Sequence, residues 1–226
     1  MYLRGVLVAL VIFLATSLAA AEAPARATII TGPDFEEVTV VSGLVQASTF
    51  AFAPDGRIFI VEKPGVVRVF KDGALLPAPL IDIQDRVNTF WFRGLLGFTI
   101  DPDFLSNGYV YLLYTYEHDP DDYEGPKTAR LTRVTVVGDT ASPGTEVVIL
   151  GSVVGASCED FPPGADCIPS DAQHHTASDI RFAADGTLFV TTGDAAPNAV
   201  EELSLRAQDL DSLAGKSFTS TQTGPE

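Results

Sequence analysis

A ten-residue phrase occurs twice in this chain, as Phe52-Ala-Pro-Asp-Gly-Arg-Ile-Phe-Ile-Val61 and as Phe182-Ala-Ala-Asp-Gly-Thr-Leu-Phe-Val-Thr191. Each copy is an Asp-Gly turn feeding a run of β-branched and aromatic residues, the signature of a tight hairpin whose turn needs positive φ. A looser third copy, Ile100-Asp-Pro-Asp-Phe-Leu-Ser-Asn-Gly-Tyr-Val-Tyr111, sets Asp103 beside Asp55 and Asp185. A hairpin cannot bury its apolar face alone, so a repeated one must stack against its neighbours. Strand-like runs cover 57–62, 66–70, 109–116, 131–136, 147–150 and 187–192, and no stretch before Glu201 holds a helical period for three turns. This pattern predicts an all-β chain, a β-propeller of four-stranded antiparallel blades. A β-sandwich whose hairpins share turn chemistry is the alternative.

The chain has 226 residues, 46% hydrophobic and 19% charged, which is globular composition. At roughly 40 to 50 residues per blade, about three blades are expected, fewer than a closed propeller requires. The chain therefore reads as the first part of a larger propeller, ending in the polar stretch Ser217–Glu226. At the other end, Arg4, an apolar run from Val6 to Leu18, and Ala19, Ala20, Ala21 and Ala23 read as a secretory signal over residues 1–23, with the propeller part in 24–226. The apolar run is shorter than the roughly 20 residues of a spanning helix, so a secreted or periplasmic protein without a permanent membrane span is expected. A formal net charge of −16 repels phosphate backbones and anionic lipid, which argues against nucleic acid as a partner. In an exported chain its two cysteines, Cys158 and Cys167, read as a disulfide closing a small loop; a zinc pair is the weaker reading, because no second ligand pair stands at suitable spacing.

Three blocks in order resemble the glucose/sorbosone dehydrogenase family, the six-bladed propellers that include soluble PQQ-dependent sugar dehydrogenases. They are Phe52–Glu62 with Gly65-Val-Val-Arg68; Arg93-Gly-Leu-Leu-Gly97 with Asp101-Pro-Asp-Phe104 and Asn107-Gly-Tyr-Val-Tyr111; and His175 with Phe182–Asp194, followed by Ala207–Lys216. The resemblance spans about 38–216 and implies the first three blades of six. It also implies oxidation of an aldose hydroxyl by hydride transfer to PQQ with calcium bound nearby, the electrons then passing to an external acceptor. By position His175 corresponds to the family's catalytic base, a role that suits an imidazole titrating near neutrality. Asp194 corresponds to an acid that orients that ring. The family's main PQQ and calcium ligands correspond to positions beyond Glu226, so no metal ligand is assigned in this chain. Two departures stand out: Thr176-Ala-Ser-Asp179 replaces a small or glycine-containing stretch, and Phe92 replaces an acidic or amide residue before Arg93-Gly-Leu-Leu-Gly97.

Other readings sit beside these. His174 is adjacent to His175 and is a rival for the base. Arg93 either lines a cationic face for PQQ, as a cofactor-binding residue, or bridges two blades. Asp119, Asp121, Asp122 and Glu124 form an acidic loop, read as a solvated hairpin connection rather than a calcium site. Phe90-Trp91-Phe92 is a sugar platform or core, with core the expectation from aromatic burial. The alternative to an enzyme is a non-catalytic propeller that binds a glycan or a protein, as hedgehog-interacting proteins do on the same fold.

Overall fold

A computed structural model describes residues 36–196 and 204–220. The leader read in residues 1–23 lies outside the described residues. Residues up to Val40 form a unit of their own, whose described part, 36–40, has no regular structure. The second unit is Val41–Glu226.

The described strands of this second unit form three antiparallel sheets. The first runs β1 (Ala47–Phe52), β2 (Ile58–Glu62), β3 (Val66–Lys71), then a fourth position split into β4 (Ala74–Leu75) and β5 (Ile81–Asp82), both paired with β3. The second runs β6 (Leu95–Ile100), β7 (Tyr109–Thr115) and β8 (Thr128–Val137). Its fourth position is divided among β9 (Thr140–Ala141), β10 (Val147–Leu150) and β11 (Ile168–Pro169), all on β8. The third holds β12 (Ala177–Phe182), β13 (Leu188–Thr192) and β14 (Ser217–Ser220). Each sheet is a simple meander in chain order, which is blade topology and not the crossed connections of a sandwich.

The middle sheet is packed on both faces. Val110, Leu112 and Tyr114 of β7 enter one cluster with Phe59, Val61, Val67 and Phe98, whereas Tyr111 and Leu113 enter another with Leu131, Ile180 and Val190. Period-two alternation thus sends successive residues into two different cores, which is why this strand reads as an unbroken apolar run. The outer faces of the flanking sheets leave Phe50, Phe52 and Phe189 exposed.

The Asp-Gly phrases are hairpins as expected. In two of them Ala53 and Ala183 take the same place, their N–H groups donating to the carbonyls of Arg57 and Thr187. The third copy needs a correction: its turn closes from Asp101 N–H to the Tyr109 carbonyl, with a one-turn helix, α1 (Phe104–Asn107), inserted. The counterpart of Asp55 is therefore Asn107 and not Asp103, since Asn107 Oδ1 accepts from Tyr109 N–H as Asp55 Oδ1 accepts from Arg57 N–H.

The first strand of every sheet lies outside the runs that composition picks out. These strands begin Ala47-Ser48, Leu95-Leu96-Gly97 and Ala177-Ser178, and each has a register shift after its first residue, between Ala47/Thr49, Leu95/Gly97 and Ala177/Asp179. β6 lies beside both β1 and β12, so these strands meet where the sheets converge and small residues fit best. At Gly97 an added Cβ would stand 2.8 Å from Leu113 Cβ. Bulges of this kind re-aim the chain at a strand end, and the third one closely follows His175.

Candidate functional site

In a meander, strand-to-strand turns alternate between the two ends of a sheet. Turns 53–57, 72–73, 101–108, 138–139 and 183–187 share one rim, whereas segments 63–65, 83–94, 116–127 and 151–176 and the described residues 193–196 and 204–216 share the other. His175, Asp194 and Arg93 all belong to the second, or connection, rim.

His175 and Asp194 meet. His175 Nδ1 lies 3.0 Å from Asp194 Oδ1, with the His175 side chain half exposed and that of Asp194 about a quarter exposed. A carboxylate can only accept, so this contact suits the tautomer with its proton on Nδ1, which turns Nε2 away from Asp194. The contact is fixed from below by backbone. Ala195 N–H donates to the His175 carbonyl at 2.8 Å and Gly193 N–H to that of Thr176 at 3.0 Å, while Ala196 N–H donates to Asp194 Oδ1 at 3.1 Å. His175 adopts φ +52°, a left-handed conformation uncommon for a side-chain-bearing residue. Gly193 allows it: an added Cβ would lie 2.0 Å from the His175 carbonyl oxygen, against backbone that cannot yield.

A second tier, unread in the sequence, holds both loops. Arg206 forms a bidentate pair with Asp171 at 2.7 and 2.8 Å, donates through Nε to the Asp194 carbonyl at 2.8 Å, and also donates to the Ala195 carbonyl. Both partners are largely buried, and the fork geometry fixes direction as well as distance. Arg206 immediately precedes the Ala207–Lys216 block, but no local spacing in the sequence points to its partner Asp171. Asp171 is tied in turn to the disulfide excursion, since Ser157 Oγ donates to Asp171 Oδ2 at 3.2 Å and Cys158 and Cys167 are bonded.

Arg93 sits under this tier, 1% exposed. Its guanidinium donates to the Asp171 carbonyl at 2.7 Å, the Gly125 carbonyl at 2.7 Å and the Ala172 carbonyl at 3.3 Å. Burial pulls it below its ordinary pKa, with Asp171 acting in the opposite sense. It bridges the 83–94, 116–127 and 151–176 segments. The acidic loop is likewise closed from inside, by buried Lys127, which donates to the Asp119 and Asp122 carbonyls and pairs with Glu117 Oε1 at 3.3 Å. The Phe90-Trp91-Phe92 cluster corrects the core expectation: Trp91 and Phe92 are each 59% exposed. His174 stacks on them, its ring 5.3 Å from Phe92 and 5.8 Å from Trp91, and 6.2 Å from the His175 ring.

Set against the PQQ- and calcium-dependent chemistry that the resemblance implies, these residues fit in one respect only. The His175–Asp194 pair suits proton transfer. The nearby cations do not suit clamping of quinone carboxylates, because Arg93, Arg206 and Lys63 are spent on carbonyls or on Asp171. Among the described residues no cluster of three or more His, Cys, Asp or Glu side chains could hold a metal ion.

The fold and the site define a propeller-type chain carrying an acid-oriented histidine on its connection rim. The family model for glucose/sorbosone dehydrogenases matches residues 44–225. The chain belongs to that family. It is similar to a proposed oxidoreductase (glucose dehydrogenase) of Thermus thermophilus, with TM-score 0.62 and 29% identity over 83% of this chain and 47% of that one. The PQQ-bound aldose sugar dehydrogenase of Streptomyces coelicolor has the same fold, with TM-score 0.59 and 22% identity over 83% and 48%. Quinoprotein glucose dehydrogenase B of Acinetobacter calcoaceticus is 24% identical over 77% of this chain and 34% of its own length. The chain thus spans half or less of each of these relatives. No helix among the described residues is long and apolar enough to cross a membrane.

Proposed function

We propose that this chain supplies the acid–base part of a PQQ-dependent aldose dehydrogenase, an exported enzyme that passes electrons to an external acceptor. The observation that carries this reading is the His175–Asp194 contact at 3.0 Å on a half-exposed rim. PQQ, assisted by calcium, supplies the two-electron chemistry when bound. The chain's own task is to take the proton of the sugar hydroxyl at His175 Nε2 as the carbon is oxidised. Asp194 holds the Nδ1–H tautomer and stabilises the imidazolium that results. Gly193, Ala195 and Arg206 keep the two groups in register, and Arg93 gives the loops a rigid floor.

The test is aldose-dependent reduction of a dye by the complete protein reconstituted with PQQ and calcium. Replacing His175 by Ala is expected to cost about 100- to 10,000-fold in turnover, the usual worth of a positioned base. Asp194→Asn is expected to cost less, because the base remains. Turnover at the parent rate in His175→Ala would reject the assignment.

A further inference from the structure

The connection from the second sheet to the third, residues 151–176, makes an excursion that has no core of its own. No residue from Ser152 to Asp166 is buried, whereas Cys167, Ile168, Pro169 and Ser170 all are. Ser157 stands in the unburied stretch, yet its hydroxyl is the outermost link of the tier behind the base. Ser157 Oγ donates to Asp171 Oδ2 at 3.2 Å, and Arg206 Nη1 donates to the same oxygen at 2.7 Å. Two ties from outside hold Ser157 in place. Just before it, Gly155 N–H donates to Thr128 Oγ1 at 3.1 Å; directly after it, Cys158 is bonded to Cys167. Cys167 is firmly seated, because Ile168 pairs with β8 on one side and the Asp166 carboxylate accepts from Gly151 and Ser152 N–H on the other, at 2.8 and 2.9 Å. The capping contacts of Ser157 with Glu159 and Asp160 lie within the excursion and move with it. The disulfide therefore carries the rigidity of the second sheet out to Ser157.

We propose that Ser157 and Asp171 are positioning residues for the His175 base, and that the Cys158–Cys167 disulfide is the strut that sets them. Asp171 and Arg206 are largely buried, so a carboxylate that loses the Ser157 donor there turns toward water, and Arg206 turns with it. Arg206 then slackens its hold on the Asp194 and Ala195 carbonyls, and the contact of Asp194 with His175 Nδ1 loosens. A disulfide that serves stability alone acts on the unfolded chain; this one also acts on the folded site. Cys158, Cys167 and Arg206 line one cavity of about 480 Å³, which leaves the bond within reach of a small dithiol. The first thiolate of the dithiol attacks Cys158 Sγ and expels the Cys167 thiolate, and its second thiol then expels Cys158. The dithiol is oxidised to a cyclic disulfide, and its two electrons and two protons leave both cysteines as thiols. The role of the strut rests on the reading of His175 as the base, but its test does not depend on turnover.

Long-range proton–nitrogen NMR correlations of the full chain, without cofactor and at a pH where the ring is neutral, report the tautomer of His175. Its signals are identified by their loss in His175→Ala. Reduction with dithiothreitol should lower the ratio of the Nδ1–H to the Nε2–H form by about 3- to 10-fold, the worth of one hydrogen bond, and reoxidation should restore it. Ser157→Ala should do the same with the disulfide intact, whereas Ser157→Thr, which keeps the hydroxyl, should hold the parent ratio. Turnover of the complete reconstituted protein is measured in Ser157→Ala and in the Cys158→Ser, Cys167→Ser double variant, so that no reductant meets the quinone. Each should lose about 3- to 30-fold in kcat with KM changing less, short of the about 100-fold that a full 1 Å misplacement can cost. Should the double variant fail to fold, Ser157→Ala carries the test. A reduced protein that melts earlier but keeps the oxidised tautomer ratio would make the disulfide a staple only and overturn the proposal. So would the parent ratio in Ser157→Ala. A tautomer shift on reduction in a protein that oxidises no aldose would leave the strut standing and remove the dehydrogenase reading.

Discussion

The two rims of the sheets are built from different material. On the hairpin rim the turns are held by exposed or half-exposed carboxylates: Asp55 closes its own turn against Arg57 at 2.6 Å, and Arg57 and Lys71 tie the first sheet to Asp139 of the second. On the connection rim all segments but 63–65 are long, and largely buried arginines tie them together through backbone carbonyls. Arg93 grips carbonyls 78 and 79 positions away, and Arg206 grips Asp171 35 positions away. The first arrangement fixes strand register and the second places chemistry, so damage to the two rims should read out differently.

The largest effect on stability is expected at the hairpin end of the interface between the first two sheets. Phe59 is fully buried there, with its ring 6.1 Å from Phe98 and 5.9 Å from Phe104, and Arg57 stacks over it. Phe59→Ala should cost about 3–5 kcal/mol in chemical denaturation while leaving the turnover of the molecules that remain folded unchanged. A normal denaturation midpoint would show that this interface is not a main source of stability.

Gly193→Ala is the substitution that should break the division. It lies on the connection rim but in the backbone, and its methyl would strike the His175 carbonyl. Destabilisation of about 1–3 kcal/mol is expected together with a loss of turnover approaching that of His175→Ala. A variant that lost neither would mean His175 is not held by this contact.

Acid sharpens the comparison more gently. The side-chain hydrogen bond from Arg57 lowers the Asp55 carboxyl below its ordinary 3.8, and that from Lys71 lowers Asp139 in the same way. A depressed carboxyl stabilises the fold above the unfolded value and loses that contribution as pH falls through it toward the folded value. Melting temperature should therefore drop between about pH 5 and about pH 3, and Asp55→Asn should remove part of the drop, a few tenths of a kcal/mol, because the carboxylate side of the pair is open to water. An undiminished drop in Asp55→Asn would assign the acid sensitivity to other carboxyls.

The same division explains what could be read in the sequence. Asp55-Gly56 and Asp185-Gly186 declare their hairpins, because a tight turn is specified by two residues, and the strands after them lie close to the bounds their composition predicts. The first strand of each sheet stays hidden, since Ala47-Ser48, Gly97 and Ala177-Ser178 are small to suit converging sheets and small residues lack strand character. His175 and Asp194 are legible through family blocks flanking one hairpin. Arg206 is not, because its partner Asp171 is set by tertiary folding and by no local spacing. Trp91 and Phe92 read as core since aromatics are usually buried; the backbone that exposes them is held by Lys63, which lies in the turn between β2 and β3.

The most direct test measures thermal unfolding and aldose turnover on the same preparations of the complete reconstituted protein carrying either His175→Ala or Arg57→Ala. His175→Ala should lose about 100- to 10,000-fold in turnover at an unchanged melting temperature. Arg57→Ala, which removes the stacking and the ion pairs of the hairpin rim, should lose about 1–3 kcal/mol of stability with turnover unchanged below the transition. Turnover and stability falling together in both variants, or His175→Ala working at the parent rate, would contradict the account.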